Sequence, residues 1–98
     1  MHVHVALFRW NPGVGRDEVD DVLRRVEALE EQIPGILEIT CAENTARYAN
    51  GFSHVIFIRA ETAEAINAYR YHPEHVAVVE VIDRIEDGIV AADLITRG

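Results

Sequence analysis

The 98-residue chain has no lysine, one cysteine, one methionine and one tryptophan. Each scarcity excludes something. All nine bases are arginine, no basic run occurs, and 17 acids bring the net charge to -8. Nucleic-acid binding is excluded on that ground, because neutralising phosphates needs a clustered positive patch. Attraction to an anionic membrane surface fails for the same reason. The lone Cys41 cannot form an intramolecular disulfide, which fits a cytoplasmic compartment. It lies in the apolar run ILEITCA with no basic neighbour to activate it, and reads as a packing residue. No apolar run approaches the ~20 residues of a membrane span. The opening MHVHVALFRW has neither a basic leader nor a cleavage site, so no signal peptide is expected. No glycine-rich phosphate loop is present, and Ser53 lacks the elbow of a serine hydrolase.

What is present is apolar. Hydrophobic residues make up 49% of a chain long enough for one domain, residues 1–98. So short a chain buries only part of its apolar surface by itself. Self-association, a homodimer, is the expected outlet for the rest.

Periodicity divides the chain. His2–Trp10 alternates as a strand, with His2, His4, Ala6, Phe8 and Trp10 on one face and Val3, Val5, Leu7 and Arg9 on the other. Arg16–Ile33 carries Val19, Val22, Leu23, Val26, Leu29 and Ile33 at helical steps, with acids in the first turns. Pro34-Gly35 stops it. Ile36–Glu43 and Phe52–Ala60 read as strands flanking a polar loop. Thr62 caps a helix over Ala63–Tyr71. His72-Pro73 breaks that helix and starts another, predicted to run to about Asp87. Gly88 is expected to end it, and Ile89–Ile95 to form a last strand. The order β-α-β-β-α-α-β gives an α+β domain, a four-stranded antiparallel sheet with helices on one face. The opposite face, with Leu7, Val55 and Phe57, then needs a cover, and a sheet-to-sheet dimer supplies it.

The chemistry-bearing residues cluster around AYRYHPEHVAVV (Ala68–Val79). His75 shares a stripe with Val78, Val79, Ile82 and Ile85, while Glu80 and Asp83 point to solvent. A partly buried, neutral imidazole exchanges protons near pH 7. Tyr69, on the preceding helix, is within a turn of it. The pair fits a proton-transfer site. It also fits a core tyrosine satisfied by a core histidine, and spacing does not separate the two. His72 falls at the junction, as a cap or an exposed residue. His4 and His54 lie on strand faces with large apolar neighbours. If those faces meet the helices, three imidazoles converge on one apolar cavity, the usual form of a small-molecule site. A metal site is not expected: His2 and His4 have no third ligand at suitable spacing, and Asp93 is the one candidate carboxylate on a strand.

Five stretches together resemble the stress-responsive dimeric α/β-barrel (Dabb) family. They are His4 in HVALFRW, Ile33–Gly35 (IPG), Gly51–Val55 (GFSHV), Ala65–Val76 (AINAYRYHPEHV) and the late AADL. The resemblance spans nearly the whole chain. It implies a ferredoxin-like subunit and a dimeric barrel formed sheet to sheet. Some members of that family are polyketide cyclases that catalyse an intramolecular aldol condensation without cofactor or metal. By that resemblance Tyr69 and His75 form a catalytic pair. His4, His54, Phe8, Val26 and Ile56 line the substrate pocket, with Val26 standing where one cyclase of that family has a tyrosine. Other members imply a non-catalytic, stress-associated or ligand-binding homodimer.

Overall fold

The structure, a computed structural model, describes residues 1–97; Gly98, the last residue of the expected domain, lies outside them. Four strands form one antiparallel sheet: β1 (His2–Trp10), β2 (Ile36–Glu43), β3 (His54–Ala60) and β4 (Glu86–Ile95). Their order across the sheet is β2-β3-β1-β4. Three α-helices cover one face: α1 (Arg16–Glu27), α2 (Ala63–Tyr71) and α3 (Pro73–Ile85). This is the α+β architecture that the order of elements predicts, in the ferredoxin-like form that the family resemblance implies. No helix is long and apolar enough to cross a membrane among the described residues.

The core lies between helices and sheet. Val19, Val22, Leu23 and Val26 of α1 are buried against Ala6, Phe8, Ile39, Ile56 and Ile58 of the strands. Each fully buried aliphatic side chain contributes about 1.5–3 kcal/mol. Glu18 reaches back to the Gly15 N–H, 3.2 Å, and closes the start of α1. The Thr62 hydroxyl accepts the Ala65 N–H at 3.1 Å, the expected cap of α2. His72 also proves to be a cap: its Nδ1 accepts the Glu74 N–H, 3.1 Å, at the start of α3. Pro73 then occupies the first turn, where its missing N–H costs nothing.

Three boundaries differ from expectation. The first helix does not run evenly to Ile33; it tightens after Glu27 into a 3-10 segment, Ala28–Gln32. A tighter last turn is common where a helix must stop, here just before Pro34. Gly35 then takes φ +88°, and any Cβ there would stand 3.0 Å from the Ala65 methyl. The third strand starts at His54 rather than Phe52, because the Asn44 side-chain amide donates to the Phe52 carbonyl, 2.8 Å, and holds it in the loop. The last helix stops at Ile85, and Gly88 lies inside β4 instead of ending α3. The cause is Arg9. Its guanidinium binds the Asp87 carboxylate (2.5 Å) and the Asp87 carbonyl (2.9 Å), and lies across Gly88 so closely that a Cβ would meet it at 2.9 Å.

On the uncovered face Leu7, Val55 and Phe57 are only half-buried. Val90 is 50% and Leu94 47% exposed beside them. The expected apolar sheet face is therefore present.

Candidate functional site

A cavity of about 180 Å³ lies between the sheet and α1–α3. Its floor is Ala6 and Phe8 of β1, Ile56 of β3 and Val26 of α1. Val79 and Ile82 of α3, with Ile89 and Ala91 of β4, close the sides. The polar groups are His4, Tyr69, His75 and Asp83. Two wider depressions, about 360 Å³ each, flank His54, Asp20 and Glu43 on the α1 side.

Tyr69 and His75 come together because Pro73 reverses the chain between α2 and α3. Their ring centroids are 4.2 Å apart, tilted 44°. The expected hydrogen bond between them is not formed. His75 instead donates its Nδ1–H to the Arg70 carbonyl, 2.9 Å away. A carbonyl only accepts, so Nδ1 carries the proton and Nε2 of the neutral ring is left as a lone-pair acceptor. Burial holds His75 below the ordinary imidazole range, only partly offset by the bond to Arg70. The ring is thus neutral at pH 7.

Tyr69 is 4% exposed. Burial, reinforced by nearby Cys41, pushes its hydroxyl well above the ordinary phenol range. It stays protonated and donates. Among the described residues no side chain or carbonyl pairs with that hydroxyl, yet no buried polar atom is orphaned. The hydroxyl therefore keeps some exposure, and Tyr69 lines the cavity.

His4 lies 6.4 Å from the Tyr69 ring, centroid to centroid. The β1–β4 register sets Asp93 directly opposite it. The Asp93 carboxylate takes the His4 Nδ1–H at 2.5 Å and lies 3.5 Å from the Arg70 guanidinium. The bond to His4 holds the Asp93 carboxyl below the usual carboxylate range. Asp93 thus orients His4, a role that spacing did not reveal, because the partners are 89 residues apart. Asp83 was also missed. Its helical position points it to solvent, and it is exposed, but it also lines the cavity. The four-residue steps from His75 through Val79 to Asp83 were the available signal.

His54 does not reach this cavity. Its Nδ1 accepts the Trp10 indole N–H at 2.9 Å and contacts the Ser53 hydroxyl at 2.8 Å. Trp10 stacks on Phe8, 5.4 Å between centroids and 3° between planes. His54 faces the wide depressions near α1 instead. The convergence of three imidazoles is in fact two, His4 and His75. Cys41 is half-buried, and burial pushes its thiol up to about 12.

Residues 3–96 match the stress responsive A/B barrel domain. The chain belongs to that family. A stress-response A/B barrel domain-containing protein of Arabidopsis thaliana, DABB1, is 32% identical over 101 residues, covering 96% of this chain and 46% of the relative. This A/B barrel chain thus spans about half the length of that plant relative. Among solved structures, a dimeric ferredoxin-like protein of unknown function from Thermobifida fusca superposes with TM-score 0.81 at 26% identity, over 95% of this chain and 88% of the other. A hydroxynitrile lyase from Passiflora edulis shares the A/B barrel fold with TM-score 0.86 at 15% identity, over 98% and 93% of the two chains.

Proposed function

We propose that this A/B barrel protein is a homodimer, paired through its apolar sheet face, whose cavity catalyses an intramolecular aldol-type carbon–carbon step on a small linear β-polyketone. It is a cyclase or lyase reading, and it uses no cofactor. The observation that carries it is that Tyr69 and His75 line the same cavity with their rings 4.2 Å apart, and that His75 keeps its Nε2 lone pair free by donating Nδ1–H to the Arg70 carbonyl. The His75 Nε2 takes a proton from the carbon between two carbonyls. The resulting enolate carbon forms a bond to a third carbonyl carbon, further along the same chain. The oxygen of that carbonyl takes the Tyr69 proton, and the His75 imidazolium returns its own to the phenolate. Protons balance, and one C–C bond replaces one carbonyl π bond. Asp93 orients His4, whose ring faces the bound oxygens. His54 lies outside the cavity, so it has no part in this reading, although it was expected to line the pocket. That the same fold hosts a hydroxynitrile lyase makes a lyase step compatible with the architecture.

The test is turnover of a panel of linear β-polyketones with at least three carbonyls by the wild type, His75→Ala and Tyr69→Phe. Loss of turnover with circular dichroism and dimer mass unchanged supports the reading. Loss of folding in both variants would make the pair a packing feature.

A second reading is a ligand-binding, non-catalytic dimer. The bond from His75 to the Arg70 carbonyl, in place of one to Tyr69, favours it. Saturable ligand binding with no turnover across the panel would select it.

A further inference from the structure

We infer that the cavity selects uncharged ligands about the size of one substituted ring, and that Asp83 at its rim turns carboxylates away. The inference rests on the reading that the Tyr69–His75 cavity is the binding site. It adds the chemical class of what enters.

Size comes first. An engineered apolar cavity of roughly 150 Å³ holds benzene, whereas drug-sized ligands occupy roughly 300–1,000 Å³. At about 180 Å³ this cavity holds a ring with one or two small substituents. An extended acyl chain has room only if it leaves through the mouth.

Charge comes next. Among the described residues lining the cavity none is arginine. The Arg70 guanidinium is turned to Asp93, and so is the His4 Nδ1–H. Positive charge at that end is thus already matched by a carboxylate. His75 is neutral and offers a lone pair, which repels an anionic oxygen. Asp83 places a carboxylate at the entrance. A ligand carboxylate would meet two acceptors and a like charge while losing its water, and buried charge without a partner is costly. A ketone or aldehyde suits the same groups. Its oxygen accepts from Tyr69, and a hydroxyl or acidic C–H on it faces the His75 Nε2.

The test compares two probes of similar size, acetophenone and benzoate, at pH 8, above the ordinary imidazole range of ~6.5. Binding is followed by NMR shifts of the Tyr69 and His75 side chains. Wild type should favour acetophenone by at least about tenfold, the scale expected for like charges near a protein surface. Asp83→Asn should narrow that ratio several-fold. Ala91→Trp, a substitution at an exposed lining position, should block both probes. Equal affinity for the two probes in wild type, or an Asp83→Asn ratio equal to wild type, overturns the selectivity while leaving the cavity as the site. Neither probe shifting Tyr69 or His75, or Ala91→Trp leaving the shifts intact, overturns the site reading and the inference with it.

Discussion

His75 and His54 are both anchored through Nδ1, yet they present opposite chemistry. His75 donates that nitrogen's proton to the Arg70 carbonyl and keeps a lone pair on Nε2. His54 accepts the Trp10 indole N–H on Nδ1, so its Nε2 carries the proton. One ring lines the smaller, mostly apolar cavity; the other edges wider depressions among Asp20 and Glu43. The residue type is the same. The partner of the hidden nitrogen decides whether each ring accepts or donates a proton.

The comparison breaks most severely if His75 is removed. His75→Ala should lower turnover of the proposed substrate class by about 10²–10⁴-fold, the usual worth of a placed general base. His54→Ala, with its ring outside the cavity, should change turnover by less than about threefold, within the range of small surface effects. Comparable losses in both variants, measured as kcat/KM, would dissolve the distinction.

Next is Ile56, which is 3% exposed and lines the cavity floor. Ile56→Ala should cost about 2–5 kcal/mol in urea unfolding, because it deletes buried methyls and leaves a void. It should also enlarge the cavity and admit bulkier neutral rings. A cost under ~1 kcal/mol would mean that the floor collapses to fill the gap.

A smaller effect tests the His54 side. Trp10→Phe keeps the ring that stacks on Phe8 and removes the indole N–H. About 0.5–1.5 kcal/mol of stability should be lost. The ¹³C shifts of His54 should report a tautomer mixture while those of His75 stay fixed. An unmoved His54 tautomer would assign its control to Ser53 instead.

The smallest effect is in pH. The His75 ring takes up its proton in the unfolded chain at the ordinary ~6.5, but in the folded protein only at lower pH. In that window the unfolded state binds more protons, so stability is full above ~6.5 and falls as the pH falls toward the folded value. His75→Gln should flatten the drop in Tm between pH 6.5 and 4.5. A wild-type Tm that does not fall over that window, or an unchanged slope in the variant, would show that His75 does not govern it.

The amphipathic stripe of Val19, Val22, Leu23 and Val26 made α1 legible, and Pro34-Gly35 its end. The stop before Pro73 was equally plain, since proline restricts its predecessor. Gly88 misled. Its glycine looks like a helix stop, but the reason for it is Arg9, 79 positions earlier in the chain and adjacent only through β1–β4 pairing. Of the site, Tyr69 and His75 were legible because one proline joins them. The Asp93–His4 bond was not, because strand register across the chain brings those residues together.

By itself the sequence determined the element order, the apolar helix and strand faces, and a net charge of -8 with no lysine. These are local or additive properties, readable from neighbours and totals. Only the tertiary structure decided which imidazoles share a cavity, which nitrogen of each is occupied, and that Asp83 stands at the mouth. Those depend on hydrogen-bond partners from other elements, and no local spacing specifies how far a strand slides before it pairs.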